Sequence, residues 1–278
     1  MRTEPADWAT DQEVRWCPGC GDYSILTAMR MLMPELEVDR HKTVFISGIG
    51  CAARFPYYMN TYGMHGIHGR APAIATGLAM ARPDLDIWVI GGDGDMMSIG
   101  GNHLIHALRR NVDMNILLFN NMIYGLTKGQ FSPTADLGSR AKTGVVNDLP
   151  PIDTCALAIE LGASFVARSF SGDKKQLSSI LKAALSHRGT AMLDVLSPCV
   201  TFNDHEGSTK SYTYAKEHDD PVGEIDFVPF FEDISIDYEP GTTQEVEMHD
   251  GSRLYLKKLE ADFDPLDKMQ ALSVLHET

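Results

Sequence analysis

The stretch Trp88-Val-Ile-Gly-Gly-Asp-Gly-Asp95, a helically spaced segment from Gly100 to Arg110, and Met114-Asn-Ile-Leu-Leu-Phe-Asn-Asn-Met-Ile-Tyr-Gly-Leu126 together decide the fold. An apolar run, a glycine turn, an amphipathic segment and a second apolar run make one βαβ unit, with polar residues kept for the strand ends. Sheets built from such units carry helices on both faces. The chain is therefore expected to be α/β, with an open, mostly parallel sheet. Ligands of these sheets bind at the carboxyl ends of the strands, which singles out Asp93 and Asn121.

Asp93 lies between Gly92 and Gly94, where the backbone can turn sharply and come close to a ligand. Asn121 closes the second strand 28 positions later. Mg²⁺ prefers oxygen ligands in octahedral array and takes one or two carboxylates plus substrate phosphates. Asp93, the Asn121 side-chain oxygen and a carbonyl near Ile123 supply half such a shell, and a diphosphate would supply the rest. The pattern Gly-Asp-Gly, then Asn-Asn, resembles the signature by which thiamine diphosphate enzymes hold their cofactor through Mg²⁺.

With 278 residues the chain can bury one sizeable core and an appendage. It has no apolar run near the ~20 residues of a membrane span. The first sixteen residues lack the basic start and apolar middle of a signal peptide. A cytoplasmic protein without membrane contact is expected. Residues 216–278 hold 17 acidic and 5 basic side chains, and so account for −12 of the net charge of −14. This balance argues against nucleic-acid binding, whose electrostatic footprint is a basic face. Residues 1–202 are read as the ligand-binding α/β domain, and 203–278 as an acidic C-terminal arm. That arm includes a hairpin over 244–256 and apolar anchors at Phe227, Phe230, Phe231 and Tyr238.

Along the chain, residues 1–16 read as a surface arm. Tyr23–Met33 has helical spacing, with Asp22 or Ser24 as N-cap and Pro34 as stop. Thr43–Ala53 is a strand entering a glycine turn that imitates the dinucleotide fingerprint. No Asp or Glu occurs between His41 and Pro83 to hold a ribose, so the NAD reading fails. Residues 54–70 read as loop, and Ala73–Ala81 as a helix opened by Pro72. Within the loop, His68 has glycine neighbours and can face a ligand. Lys128, in an aperiodic segment, is either an anion contact or an ordinary surface lysine. These two are the candidate catalytic groups. Helices over 153–161 and 173–187 and strands over 164–168 and 191–196 follow, and Cys199 stands past the last strand.

Five cysteines occur, at positions 17, 20, 51, 155 and 199. Trp16-Cys17-Pro-Gly-Cys20 before a helix imitates a redox dithiol, but that fold needs a strand leading into the motif, and only sixteen residues precede Cys17. Cys155 on a helix reads as a buried apolar residue. Cys17, Cys20, Cys51 and Cys199, from three separate loops, suit a 4Fe-4S cluster. Structural zinc also takes four cysteines, usually as two close pairs, and only one such pair is present.

The segments Trp-Cys-Pro-Gly-Cys-Gly, Ser-Gly-Ile-Gly-Cys, His-Gly-Arg-Ala, Gly-Asp-Gly-Asp and Asn-Asn-x-Ile-Tyr-Gly-Leu-Thr-Lys-Gly-Gln are similar to the β subunit of 2-oxoacid:ferredoxin oxidoreductases, particularly the 2-oxoglutarate type. The match runs in order from about Trp16 to Asn203. The resemblance implies the diphosphate-binding half of a thiamine diphosphate-binding fold, with 4Fe-4S ligation by Cys17, Cys20, Cys51 and Cys199. It also implies Mg²⁺ ligation by Asp93, Asn121 and the Ile123 carbonyl. Thiamine diphosphate contacts are implied from Ile49, Gly50, Cys51, Ala52, His68, Gly94, Asp95, Gly125 and Leu126. The implied activity is coenzyme A-dependent, reversible oxidative decarboxylation of a 2-oxo acid, with electrons passed to ferredoxin. The implied partner is an α subunit, in an αβ or (αβ)2 assembly, that supplies the second thiamine-binding half. Pyruvate, a branched 2-oxo acid or non-redox thiamine chemistry are the alternatives to 2-oxoglutarate oxidation.

Overall fold

The computed structural model describes residues 3–218, 239–247, 253–257, 263–264 and 266–277. It divides into two compact units, Met1–His218 and Asp219–Thr278.

The first unit opens with a 3-10 turn, Pro5–Trp8, followed by α1 (Asp22–Glu35) and β1 (Thr43–Ser47). Next come α2 (Phe55–Tyr58), β2 (Tyr62–His65), α3 (Ala71–Ala81) and β3 (Asp86–Gly92). The central βαβ unit is completed by α4 (Gly101–Arg110) and β4 (Met114–Asn120). The two-residue strands β5 (Ile123–Tyr124) and β6 (Gln130–Phe131) pair antiparallel. The last turns are α5 (Thr154–Glu160), β7 (Phe165–Phe170), α6 (Lys174–Ser186), β8 (Thr190–Leu196) and α7 (Tyr212–Glu217).

Six strands form one parallel sheet in the order β2-β1-β3-β4-β8-β7. Alternate residues feed opposite faces, as the strand period of two requires. Phe45, Trp88 and Leu117 pack under α1 and α6, whereas Val44, Val89 and Ile116 pack under α3 and α4. Both faces are covered, so the strands read as unbroken apolar runs. This burial aligns the carboxyl ends of β1, β3, β4 and β8 along a single edge, where the sheet's ligand-bearing turns must stand.

Three features differ from the sequence expectation. Residues 54–70 contain α2 and the edge strand β2, whose four residues are all exposed. Neither face of this edge strand is covered, so Tyr-Gly-Met-His shows no alternation to read. The N-terminal arm is anchored: Trp8 is fully buried against α1. Finally, α1 is capped by Gly21 with no side-chain cap, and Pro34 lies inside its last turn. Asp22 does not cap because its carboxylate accepts from Ser197 Oγ at 2.7 Å instead.

In the second unit, β9 (Thr243–Glu247) and β10 (Arg253–Lys257) pair antiparallel, and α8 spans Lys268–Glu277. The anchors read at Phe227, Phe230, Phe231 and Tyr238 lie outside the described residues, as does the turn over 248–252. Among the described residues no helix is long and apolar enough to cross a membrane.

Candidate functional site

The turn after β3 is built around Asp93, which is 1% exposed. Its Oδ2 accepts from Met122 N at 2.9 Å, Ser132 Oγ at 2.6 Å and Thr134 Oγ1 at 2.5 Å. Burial pushes the Asp93 carboxyl above its ordinary range, and the hydrogen bonds from Ser132 and Thr134 oppose that. Met122, whose N–H points at Asp93, adopts a left-handed backbone, φ 64°, which is uncommon outside glycine. The side chain of Asn121 is folded back in the same turn, its Oδ1 accepting from Ile123 N at 2.9 Å.

Beyond Gly94 the chain makes a single π-type turn, closed by Gly100 N donating to Asp95 O at 3.0 Å. Such turns are frequent at functional sites. Asp95 is buried too: its Oδ1 accepts from Gly69 N at 2.8 Å and Ile49 N at 3.2 Å, and pairs with His68 Nδ1. Its Oδ2 has no partner, and a Cβ on Gly48 would fall 2.1 Å from it. At Gly94 a Cβ would meet the Tyr124 ring at 2.6 Å. The two glycines thus let the Asp95 carboxylate and the Tyr124 ring lie directly against backbone. The result is a cavity of about 80 Å³ lined by Ile49–Ala52, His68, Gly92–Asp95, Asn121 and Ile123–Thr127. Through Ile49, Gly50 and Leu126 it shares walls with an open cleft of about 480 Å³ that also carries Arg15, Arg54, Tyr57 and His65.

The cysteines of the first loop, β1 and β8 gather beside this cavity. A Cβ on Gly125 would lie 3.4 Å from Cys51 Sγ and 3.8 Å from Cys199 Sγ. Cys51 and Cys199 also act electrostatically on Cys20, and Cys17 on Cys51 and Cys199. Burial, followed by the charge of Asp22, holds the Cys20 thiol well above the usual range and pushes Cys51 up to about 12. Cys199 is raised by burial, against hydrogen bonds from the Phe202 and Thr201 backbone. A metal bound here would require these thiols to give up their protons. Cys155 is buried and packs in the core near Ala167. Among the described residues no three Asp, Glu, His or Cys side chains converge on one point as a single ion requires.

Four supports are not visible in the sequence. Ser132 and Thr134 come from the aperiodic segment after β5. The indole N–H of Trp16 donates to Cys51 O at 2.7 Å, between the rings of Tyr23 and Tyr58; its place beside Cys17 is the only hint the sequence offers. Asn203, 4% exposed, donates from Nδ2 to Asn121 O at 2.9 Å and from its backbone N to Cys199 O at 2.8 Å. It therefore ties the two corners together. Lys128 is exposed, has φ 81°, and lines neither cavity.

A parallel sheet whose strand ends gather a glycine cradle around a buried aspartate and an asparagine defines a thiamine diphosphate-binding domain. Residues 48–195 match the family described as thiamine pyrophosphate enzyme, C-terminal TPP binding domain. The chain is 58% identical over 199 residues to 2-oxoglutarate oxidoreductase subunit KorB of Mycobacterium tuberculosis, covering 71% of this chain and 53% of that protein. It is 43% identical over 252 residues to the 2-oxoacid:ferredoxin oxidoreductase subunit beta of Saccharolobus solfataricus, covering 88% of this chain and 77% of that one. A solved 2-oxoglutarate:ferredoxin oxidoreductase from Magnetococcus marinus, with 2-oxoglutarate, coenzyme A and succinyl-CoA bound, superposes with a TM-score of 0.74 at 37% identity. That match covers 99% of this chain and 90% of the other. The chain belongs to the β subunits of the 2-oxoacid:ferredoxin oxidoreductases. It spans about half the length of the mycobacterial relative, 53%, and 63% of a β subunit from Aeropyrum pernix.

Proposed function

We propose that this β subunit works with an α subunit in the coenzyme A-dependent oxidative decarboxylation of a 2-oxo acid, 2-oxoglutarate foremost. Electrons leave through a 4Fe-4S cluster to ferredoxin, and the reaction runs in both directions. Thiamine diphosphate, when bound, supplies the nucleophilic carbon and the electron sink that decarboxylation needs. The observation that carries the reading is the shared wall at Gly125. This residue lines the cradle together with Cys51, and a Cβ in its place would lie 3.4 Å from the sulfur of Cys51 and 3.8 Å from that of Cys199.

The chain's own residues have separable tasks. Asp93, Asn121 Oδ1 and the Ile123 carbonyl would hold Mg²⁺, with Ser132 and Thr134 fixing the carboxylate as outer-shell partners do. That set contains a single carboxylate, and a diphosphate completes it. Ile49–Ala52, Gly94, Asp95, Gly125 and Leu126 would bound the cofactor. His68 would contact it through the ring edge left free by Asp95. Cys17, Cys20, Cys51 and Cys199 would each take one corner of a cube, which does not ask four sulfurs to converge on one point as zinc does. Arg54 and Arg15, in the adjoining cleft, offer cations for the second carboxylate of a dicarboxylic 2-oxo acid. Lys128 has no part in this assignment.

The test is anaerobic co-purification with the α subunit, analysis for iron and thiamine diphosphate, and assay with 2-oxoglutarate, pyruvate and branched 2-oxo acids. Iron-free, thiamine-loaded protein that decarboxylates without ferredoxin would refute the redox reading. Arg54→Met should raise the KM for 2-oxoglutarate about tenfold, the value of one charge-assisted hydrogen bond, and leave that for pyruvate unchanged. Equal effects on both substrates would remove Arg54 from carboxylate recognition.

A further inference from the structure

We infer that His65 is the base that takes the proton from the thiol of coenzyme A when the acyl group is transferred. The inference rests on the coenzyme A-dependent reading above and gives that transfer its proton acceptor.

His65 ends β2 at the carboxyl edge of the sheet, in register with Ser47 of β1. The residue is exposed, yet one side of its ring is held: Nδ1 lies 3.0 Å from Ala53 O and 3.1 Å from Ser47 Oγ. A carbonyl oxygen can only accept, so Nδ1 carries the hydrogen. Ser47 is fully buried and commits its own hydroxyl hydrogen to the same carbonyl, Oγ to Ala53 O at 2.7 Å, so towards the ring it is an acceptor as well. Gly66 N donates to Ser47 O at 2.8 Å and fixes the strand end, and the Tyr57 ring lies against the imidazole with centroids 5.2 Å apart. With Nδ1 so engaged, the neutral ring has its lone pair on Nε2. That nitrogen has no hydrogen-bond partner among the described residues.

His65 lines the open cleft of about 480 Å³ that shares Ile49, Gly50 and Leu126 with the cofactor cavity. The titratable and charged groups lining the cleft with it are Glu13, Arg15, Arg54, Tyr57 and Tyr58. A guanidinium has no lone pair to offer a proton. Tyr58 is buried, its hydroxyl accepting from Arg15 N at 3.0 Å, and Glu13 stands out in solvent beside Arg15. His65 alone is a proton acceptor that a third group orients, as a general base requires. A 2-oxo acid anion has no hydrogen to give such a nitrogen, whereas a thiol has. As the S–H bond breaks, the sulfur bonds to the acyl carbon and the proton passes to Nε2. The earlier bond of that carbon breaks with its electron pair left on the carrier, and the proton leaves to water through the open cleft.

The experiment compares wild type, His65→Asn and His65→Gln, each purified with the α subunit. The asparagine amide can still donate to Ala53 O, so the support is kept while the Nε2 base is lost. In single turnovers of the 2-oxo acid that wild type uses fastest, both variants should release CO₂ at the wild-type rate. Acyl-CoA formation after coenzyme A is added should slow about a hundredfold at pH 7, the lower end of general-base effects. That shortfall should narrow as the pH approaches about 8.5, where an ordinary thiol ionises by itself. Diethyl pyrocarbonate should modify His65 of the wild-type complex, mapped by peptide mass, and desulfo-coenzyme A should protect it while leaving His41, at the amino end of β1, reactive. Equal slowing of CO₂ release, a shortfall that does not change with pH, or no protection of His65 overturns the inference. A wild-type complex that forms no acyl-CoA refutes the coenzyme A reading itself, and this inference with it.

Discussion

The turn around Asp93 and the corner around the four cysteines stand on the same edge of one sheet, yet they are built in opposite ways. At Asp93 three donors from two segments meet on a single carboxylate oxygen, and the neighbouring Asp95 accepts two backbone N–H groups besides His68. At the cysteine corner, Cys17 is exposed, and Cys20, Cys51 and Cys199 are half-buried. Burial raises the thiols of Cys20, Cys51 and Cys199 above their ordinary range. One site is preorganised by the chain; the other, on the proposed assignment, would be completed by the cluster it binds. On that assignment the cofactor side should assemble without the cluster, whereas the cluster side would depend on its metal.

Removing a sulfur puts the greatest strain on that contrast. Cys199→Ser should lose most of its iron and all ferredoxin-linked turnover, while calorimetry still registers thiamine diphosphate binding with Mg²⁺. Simultaneous loss of both would show the two corners to be one cooperative unit. A milder break comes from Thr134→Val, which removes an outer-shell donor to Asp93. The Mg²⁺ dependence of thiamine diphosphate binding should weaken about tenfold, at the lower end of outer-shell effects, with iron content unchanged. An unaltered Mg²⁺ requirement would mean that the turn is held by Met122 and Ser132 alone. The smallest effect is expected from Trp16→Phe, which deletes the hydrogen bond to Cys51 O. It should cost about 1 kcal/mol in thermal unfolding and speed the loss of iron to a chelator. Unchanged iron release would show that the indole contributes packing only.

The same contrast governs what the sequence reveals. The β3–α4–β4 unit is legible because its apolar runs are buried on both faces and its glycines fall where the chain turns. Asp93, Asn121 and Cys199 can be set at strand ends for the same reason. What holds them is not legible: Ser132 and Thr134 reach Asp93 from a segment with no period, across 39 and 41 residues of sequence. Edge strand β2 is invisible because an exposed strand needs no pattern. Trp8 resembles part of a surface arm until α1 supplies the wall it packs on. Asp22 sits where a helix cap is expected, and only the position of Ser197 shows that the carboxylate turns inward. Periodicity and spacing encode contacts along an element, and most of these supports are contacts between elements.

The short run from Cys199 to Asn203 works as a clasp of fixed length. Its ends are joined to each other by the Asn203 N–H and to the β4 turn by the Asn203 amide. Adding or deleting one residue inside it would unhook the cysteine and the asparagine turn together. A loop graft or peptide tag on this side of the protein therefore has to begin beyond Asn203.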